Sequence, residues 1–479
     1  MKRLLQLFGI VLFLAASATI APNVYAIDGG TLQIKAENGW KAFEVISSGE
    51  NADDEFYQMP DTFDGIGAQL LDDGTLRAQI RVQINHERGE AGPLANISEV
   101  NLDLLSFQDA IALMITFGNT GGVRFVDSAR QAYDRWSDDG GATWTDTDNW
   151  NTTKFKWFCS GQSYLANTFG PDRGFVNGIY INGEEQGLPF GRLFALDLAN
   201  RDFYQVSGNA GSAPGGIGGM PFDSLENAAL VDTGETDHVA LLMSPDFGSQ
   251  TMRMYIGEKG KDVDGSPSDS FLARNGLAYG SWYYLNDSLP DFVDEKTKGF
   301  FDTTLDGALT SSKMEDVDTS PSDPTKVVLG DQDSGTFTFD FNLKFSRGSF
   351  NANASNFSIT KLRNNEDGVG NLGDPDNVDW TDTTTLNGTT FKDGLIFVNE
   401  DNGRGEIWVM EPDGSNPLLI GHSLPGKGDG SGAESTGVLD ISTLVGYNPG
   451  SVVLSNNQGF FDSSLSVLIN PNATLRSED

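Results

Sequence analysis

The sequence predicts an all-β protein, most consistent with a β-propeller, and three observations support this. Runs of β-branched and aromatic residues recur along the chain, and each has the length of one strand. Asp, Asn and Gly, which are typical of turns, separate the runs, and the chain contains 57 glycines. Amphipathic helical periodicity is hard to find. Many short strands favour a sandwich, a barrel or a propeller, and the large number of runs favours a propeller.

The strand-like runs share this pattern and are bounded by turn residues. In chain order they are Thr75–Ile84, Asp109–Phe117, Gly191–Leu196, His238–Met243, Met252–Ile256, Lys326–Leu329, Gly335–Phe341, Gly394–Val398, Glu406–Met410 and Ser451–Leu454. Two of these runs, Gly394–Val398 and Glu406–Met410, are followed by the turn residues Pro412-Asp413-Gly414-Ser415. They predict consecutive strands of one blade joined by a hairpin. No repeat of fixed period is visible, so these runs do not give the number of blades.

Residues 1–26 predict a signal peptide. Lys2-Arg3 precede an apolar run that ends near Ile20, and Val24-Tyr25-Ala26 has the small-x-small pattern that signal peptidase prefers. We therefore expect export to the periplasm or the medium. Because no paired arginines are present, the general secretory route is favoured.

Residues 27–479 are expected to form a single propeller domain, since no stretch resembles an interdomain linker. We also expect a monomer. Two polar stretches rich in Asp, Gly, Pro and Asn, Asp262–Asp269 and Asn364–Asp382, are expected to be long loops or insertions on this scaffold.

Acidic residues dominate the charge, because 68 Asp and Glu oppose 31 Lys and Arg and give a net charge of -37. This charge argues against nucleic acid as a partner, since phosphates would be repelled. No later segment has the uninterrupted apolar length of a membrane helix, so no membrane partner is expected. The carboxylates suit hard cations such as calcium, although solubility alone explains most of them.

Common hydrolase signatures are missing from the sequence. It has no G-x-S-x-G, H-E-x-x-H or Walker motif, and only three histidines, His86, His238 and His422. The single cysteine, Cys159, cannot form an intramolecular disulfide, and an isolated cysteine is more commonly a small buried apolar residue than a ligand. Any chemistry would therefore depend on carboxylates and hard metals.

The segment Ser137–Trp144 fits the Asp-box pattern S-x-D-x-G-x-T-W. Such a segment forms a hairpin turn in which the Asp accepts backbone N–H bonds, Gly relieves the turn and Trp packs beneath it. A single copy predicts a structural turn and not sialidase chemistry.

Short acidic clusters occur where strand-like runs end or turns begin, and each taken alone is more commonly a solvated turn than a ligand set. Their order along the chain resembles that of the PhoX-type alkaline phosphatases over nearly the whole mature sequence. The motifs that carry the resemblance are Asn85-His86-Glu87, Cys159-Ser160-Gly161, Gly178-Ile179-Tyr180-Ile181-Asn182-Gly183-Glu184-Glu185, Leu225-Glu226-Asn227-Ala228, Ser244-Pro245-Asp246, Lys313-Met314-Glu315-Asp316 and Glu434-Ser435-Thr436-Gly437.

The resemblance implies a six-bladed propeller whose central face holds a pair of ferric ions (Fe3+) and several calcium ions (Ca2+). It implies that Cys159 and Glu226 are iron ligands. The remaining implied members of the cluster, mostly calcium ligands, are Glu184, Glu185, Asp246 and Glu315, with Glu87 and Glu434 as further members.

Two departures from the family pattern bear on activity. Lys313 stands where the family has an arginine that contacts substrate phosphate, so the positive charge is kept but the bidentate fork is lost. The spacing from Cys159 to Glu184 is longer than usual in the family, which implies an inserted loop around Asn167–Asn177.

The function implied is that of a metal-dependent phosphomonoesterase acting on small-molecule phosphate esters, with Lys313 and Glu315 as catalytic residues. A different class of function is a non-catalytic, calcium-stabilised propeller that acts as a binding or structural protein. A third alternative is hydrolysis of phosphodiesters or phytate by a related calcium-rich propeller.

Overall fold

The computed structural model describes residues 33–50, 57–71, 78–87, 95–146, 155–185, 191–206, 225–286, 297–304, 306–366, 371–424, 434–459 and 463–476. The predicted signal peptide lies outside these residues. Within them, no helix is long and apolar enough to cross a membrane.

Strands dominate the described residues. The first half of the chain contains β1 (Ile34–Ala36), β2 (Lys41–Ser47), β3 (Phe63–Leu71), β4 (Gln79–His86), β5 (Asn96–Asp103), β6 (Val126–Gln131), β7 (Arg135–Ser137), β8 (Thr145–Asp146), β9 (Gly161–Tyr164), β10 (Ile179–Glu184), β11 (Arg192–Asp197), β12 (Asp202–Gln205), β13 (Leu225–Val231), β14 (His238–Thr251) and β15 (Arg253–Glu258).

The second half contains β16 (Gly280–Asn286), β17 (Thr297–Asp302), β18 (Thr310–Thr319), β19 (Lys326–Asp331), β20 (Gly335–Asn342), β21 (Phe345–Ser346), β22 (Ser349–Phe350), β23 (Asn356–Asn364), β24 (Pro375–Trp380), β25 (Thr384–Leu386), β26 (Thr389–Phe391), β27 (Ile396–Glu400), β28 (Glu406–Met410), β29 (Leu418–Ser423), β30 (Glu434–Asp440), β31 (Val452–Gln458) and β32 (Ser464–Ile469). The helices are α1 (Leu104–Phe117), α2 (Phe271–Arg274) and a 3-10 turn at Ala352–Ala354.

The strands pair into a succession of mainly antiparallel sheet segments along the chain. In chain order the larger segments are β3-β4-β5-β6, then β9-β10-β11-β12 extended by β7 and β8, then β13-β14-β15-β16, then β18-β19-β20-β23, then β24-β27-β28-β29 extended by β1, and finally β30-β31-β32 extended by β2. The third and fourth of these segments are joined, because β17 pairs with both β16 and β23 and β14 pairs with β18. Eight strands thereby close into a ring.

The first strand of each segment contacts the first strand of the next. β3 contacts β9, β9 and β10 contact β13, and the contacts continue through β18, β24 and β30 back to β3. The two ends of the described chain meet in the last segment, where β2 pairs antiparallel with β32. We call β3, β9, β13, β18, β24 and β30, which contact one another in this closed order, the inner strands.

Side-chain alternation explains how one strand serves two neighbouring cores. On β13, Ala228 and Leu230 pack into one buried apolar cluster, whereas Ala229 and Val231 pack into the next. Successive side chains of a strand point to opposite faces, so an apolar strand between two cores must be apolar on both faces. Each fully buried Leu or Val side chain contributes about 1.5–3 kcal/mol relative to exposure.

Most of the predicted strand-like runs are strands, but Asp109–Phe117 is not. It belongs to α1, which begins after Asp103, whose side chain accepts a hydrogen bond from the Ser106 amide at 2.9 Å. The helix ends at Gly118, whose φ is 73°. Its buried face is formed by Phe107, Ala110, Ile111 and Met114, whose spacing is that of a helix. The sequence analysis took this run for a strand because the rest of the chain is rich in strand-like runs.

The predicted Asp-box turn is confirmed. Asp139 accepts hydrogen bonds from the amide and the hydroxyl of Thr143, and its neighbour Gly141 has a φ of 93°. Trp144 packs edge-on against Tyr204, with ring centroids 5.1 Å apart. This turn therefore serves the hairpin between β7 and β8.

The two predicted long loops have different outcomes. The segment Asp262–Asp269 is a turn-rich loop between β15 and α2, as expected. The segment Asn364–Asp382 was wrongly taken as a loop, because Pro375–Trp380 within it forms β24 and every residue of that strand is buried. Residues 367–370 of this segment lie outside the described part of the chain.

Candidate metal centre

A cysteine and two glutamates meet where the second and third sheet segments adjoin. Ligand atoms of Cys159, Glu185 and Glu226 all lie within 4.8 Å of one another. The Cys159 thiol donates to Oε2 of Glu185 at 3.1 Å, and the Ser160 hydroxyl donates to Oε1 of Glu226. Glu226 is only 1% exposed, yet its Oε2 accepts no hydrogen bond from the part of the chain that the structure describes. This buried oxygen is a ligand atom without a donor.

A second group of ligands shares Glu226. Its carboxylate lies with those of Glu315 and Asp376, again with ligand oxygens within 4.8 Å of one another, and all three residues are buried. Glu226 thus connects a group that contains sulfur to a group that contains only oxygen. Asp376 is the second residue of β24, the strand that the sequence analysis missed.

Lys313 is the basic residue in direct contact with these carboxylates. Its Nζ lies 2.9 Å from Oδ2 of Asp246 and 2.8 Å from Oε1 of Glu315. Asp246 and Lys313 are directly opposite each other in the pairing of β14 with β18. We call Cys159, Glu185, Glu226, Asp246, Glu315 and Asp376 the donor cluster.

Further acids border the donor cluster on the side of β3 and β30. Gln458 donates to Oε2 of Glu87 at 3.0 Å and weakly to Oδ2 of Asp64 at 3.5 Å. Burial, followed by the charge of Asp376, raises the pKa of Asp64 well above its usual value. Burial and a carboxyl contact with Asp401 do the same for Glu434. These acids extend the oxygen side of the cluster.

The carboxylates of the donor cluster repel one another, because the positive charge near them is too small to compensate their negative charges. Burial, and then the charge of Asp246, raises the pKa of Glu226 to about 8. The pKa values of Glu185, Glu315 and Asp376 also lie well above their usual values, first because of burial and then because of neighbouring carboxylates. Burial and the charge of Glu185 raise the pKa of the Cys159 thiol. Cations would stabilise the charged forms of all these groups.

Close backbone approach brings the donor cluster together. A Cβ added to Gly183 would lie 2.0 Å from the Leu225 carbonyl oxygen, and one added to Gly65 would lie 2.7 Å from that of Cys159. Trp157 has a φ of 48°, in a region that bulky residues rarely adopt. Its amide donates to the Glu87 carbonyl at 2.9 Å, and its own carbonyl accepts from the Glu185 amide at 3.0 Å. This turn fixes Glu87 and Glu185 on either side of Cys159.

Glu184 faces away from its neighbour Glu185. Both Glu184 carboxylate oxygens accept hydrogen bonds from Arg192, and one of them also accepts from the Lys156 amide at 2.9 Å. Consecutive residues of a strand point to opposite faces, so only one member of the Glu-Glu pair can reach the cluster. The structure places Glu184 in an ion pair that anchors the end of β10.

A second set of buried acids lies further along the same inner strands. Asp316 accepts from the Val378 amide at 3.1 Å, Asp318 from the Trp380 amide at 2.6 Å, and Asp379 from the Asp440 amide at 3.0 Å. Asp316 and Asp379 also line a narrow cavity to which β3, β9, β13, β18, β24 and β30 all contribute. We call Asp316, Asp318 and Asp379 the axial aspartates. Each has a backbone N–H donor from a neighbouring inner strand.

The sequence-predicted residues therefore have different positions. The structure brings Cys159, Glu185, Glu226, Asp246 and Glu315 together with Lys313. Glu87 and Glu434 lie at the bordering acids, and Glu184 lies apart with Arg192. The sequence analysis missed Asp64, Asp376 and Asp401. Asp64, Glu226 and Asp376 are each the second residue of a strand, and this shared position is a signal that could have revealed Asp64 and Asp376.

Comparison with solved structures identifies a fold relative. The chain is similar to Pseudomonas fluorescens PhoX, solved in complex with vanadate, a transition state analogue, with a TM-score of 0.59 and 12% sequence identity over 92% of this chain and 97% of that one. At this identity the likeness shows the fold alone. A fucose-specific lectin from Aleuria aurantia also matches, with 11% identity over 86% of this chain and 98% of that one, but its TM-score of 0.34 carries no argument.

Sequence comparisons add no family. No protein-family model matches the chain, and no curated protein matches it. The chain is thus an all-β protein with a PhoX-like fold, and it contains acidic groups that could hold metal.

Proposed function

We propose that the chain is a metal-dependent phosphomonoesterase that hydrolyses small-molecule phosphate esters. The observation that carries this proposal is the pair of ligand groups joined by Glu226, one with sulfur and one with oxygen alone, in a PhoX-like fold. Clustered cations suit phosphoryl transfer, because this reaction needs charge neutralisation and positioning more than covalent help from the protein.

The scaffold of this proposal is a six-bladed propeller. Six sheet segments follow one another along the described chain, and their first strands contact each other in a closed order. The pairing of β2 with β32 would close the last blade with strands from both ends. In such a fold the inner strands surround one axis, and three of them, β13, β18 and β24, carry Glu226, Glu315 and Asp376.

The donor set fits iron on one side and calcium on the other. Cys159, Glu185 and Glu226 combine a soft sulfur with carboxylates, a set suited to a transition metal such as Fe3+. Glu226, Glu315 and Asp376, with Asp246 and the bordering Glu87 and Glu434, offer only oxygen, as Ca2+ prefers. Bound there, the ions would neutralise charge that develops on the phosphoryl oxygens.

The protein's own residues would bind and orient the substrate. Lys313 has a third of its side chain exposed, so its ammonium can reach an anionic ester as well as the buried carboxylates. Glu315 holds that ammonium at 2.8 Å and fixes its direction. Glu184, held by Arg192, positions Glu185 through the backbone of β10. A lysine presents a point charge and not a fork, so it steadies a phosphoryl oxygen with little selection for its orientation.

Export to the periplasm or the medium, and action as a monomer, belong to the same proposal. A phosphomonoesterase there would release phosphate from esters outside the cytoplasm. The strong negative charge of the chain would repel such esters unless bound cations reverse the field at the site.

Turnover of an aryl phosphate monoester by the metal-loaded full chain tests this function. We expect turnover by the wild type, a loss of at least about 100-fold in Cys159→Ser and in Glu315→Gln, and no loss in Asp264→Asn, an exposed acid of the loop before α2. Equal activity in all four proteins, or activity that survives complete removal of metal, would contradict the proposal.

One observation favours a second function, that of a non-catalytic calcium-stabilised binding propeller. The ammonium of Lys313 already forms ion pairs with two carboxylates, so its charge is compensated before any phosphate binds. Bound calcium without turnover on any monoester would support this alternative. Faster turnover of a phosphodiester or of phytate than of the monoester would instead indicate a related esterase.

A further inference from the structure

Lys313 lies in a position that suits a bound cation. Its ammonium bridges Asp246 and Glu315, whose side chains are 1% and 4% exposed, whereas its own side chain is 34% exposed. The ammonium of a partly exposed lysine is therefore directed inward, towards two buried carboxylates. Such carboxylates are costly to bury without a positive partner.

Glu315 is shared between this lysine and the oxygen-only ligand group. One of its oxygens contacts the ammonium, and its carboxylate also lies with Glu226 and Asp376. A metal ion held by Glu315 and a lysine held by the same residue would repel each other at close range. Each cation therefore weakens the binding of the other to this carboxylate.

The backbone leaves only the side chain free to respond. The Lys313 carbonyl accepts a hydrogen bond from the Gln332 amide at 3.0 Å, and the residue is paired in register with Asp246. A change of partner at Lys313 must then be a rotation of its flexible stem. Its exposed third gives the ammonium a direction in which to move.

We propose that Lys313 is an internal counter-ion of the metal-free protein, and that a divalent cation displaces it from Glu315 and Asp246. The inference rests on the metal centre of the proposed function. In the metal-free chain the ammonium contacts both buried carboxylates and links β14 to β18. In the loaded chain the same ammonium is released towards solvent, where it could contact an anionic substrate.

Calcium titration of the chelator-treated full chain tests this exchange. By calorimetry we expect Lys313→Gln to bind Ca2+ about tenfold more tightly than the wild type, because the competing charge is gone. Lys313→Arg keeps the charge, and its affinity should stay within about threefold of the wild type. The melting temperature of Lys313→Gln should be below that of the wild type without calcium and equal to it or above it with calcium.

Lys326→Gln is a matched control. Lys326 is 32% exposed and its ammonium lies 2.9 Å from Asp323, outside the donor cluster, so its loss should change neither calcium affinity nor the calcium-induced rise in melting temperature. Unchanged or weaker calcium binding by Lys313→Gln would overturn the inference, and so would the absence of calcium binding by both proteins. Phosphatase turnover is scored separately, so tighter calcium binding without turnover would uphold the exchange and reject the enzyme.

Discussion

The axial aspartates and the acids of the donor cluster differ in which groups donate hydrogen bonds to them. The axial aspartates accept backbone N–H bonds from neighbouring inner strands, as Asp318 does from the Trp380 amide at 2.6 Å. The donor cluster has few such donors, and Glu226 keeps one buried oxygen without any among the described residues. Both sets are buried to a similar degree, so burial alone does not distinguish a structural acid from a ligand.

A buried carboxylate oxygen that lacks a hydrogen-bond donor is therefore what distinguishes a candidate metal ligand from a structural acid. An axial aspartate acts as a staple between strands whose edge N–H groups would otherwise be unpaired. In the donor cluster, by contrast, the buried Oε2 of Glu226 has no such donor among the described residues, and the groups beside it are carboxylates and a thiol. Natural proteins retain such an arrangement where a cation or a function compensates for it.

The largest expected effect comes from breaking the residue that joins the two ligand groups. In Glu226→Gln both groups lose a shared carboxylate, so affinity for both kinds of metal should fall by about 100-fold or more. Metal content after dialysis, measured by elemental analysis, checks this. Retention of both metals at wild-type levels would show that Glu226 is not shared.

The next largest effect is expected at an axial aspartate, where a substitution should lower stability but leave the metal content unchanged. In Asp318→Ala the Trp380 and Thr319 amides lose their acceptor, which should lower the free energy of unfolding by about 3 kcal/mol while the metal content stays unchanged. Denaturant unfolding measures the first quantity and elemental analysis the second. Metal loss with unchanged stability would erase the distinction between the two sets.

Asp376→Asn tests whether an acid of the donor cluster stabilises the protein only when metal is bound. Burial and the neighbouring carboxylates oppose a charge at Asp376, so replacement by a neutral amide should make the chelator-treated protein more stable than the chelator-treated wild type. With metal present the same variant should be less stable than the wild type. A loss of stability in both conditions would mean that Asp376 is a structural acid.

A smaller effect concerns pH. The folded pKa of Glu226, about 8, lies above its ordinary value of 4.5, so the folded state binds protons more tightly than the unfolded state. This contribution to stability is fully present below about pH 4.5 and is lost as pH rises through 8. Melting temperatures of the chelator-treated protein should therefore fall across this window, whereas loaded protein should show a flatter profile. A metal-free protein that gains stability towards pH 8 would contradict the assignment.

Local patterns predicted much of the fold. Runs such as Glu406–Met410 are strands because apolar, β-branched residues are bounded by turns, and the Asp-box turn follows from its own hydrogen bonds. The error at α1 has a simple origin, since a short apolar run does not by itself distinguish strand from helix. The order of acidic motifs predicted five members of the donor cluster from residues far apart along the chain.

The parts that the sequence did not predict depend on tertiary contacts. Asp376 was missed because its strand, β24, is rich in Asp and Asn and resembles a loop, although its polar residues are buried among other inner strands. The separate positions of Glu184 and Glu185 depend on Arg192, which no local pattern connects to them. Structural acids and candidate metal ligands can be told apart only when the groups that donate hydrogen bonds to them are known.

Elemental analysis of the full chain, purified without chelator, tests the central claim most directly. The account predicts iron and calcium together in the same protein, with both reduced in Glu226→Gln and neither reduced in Asp318→Ala. Protein that is folded and carries neither metal would contradict it.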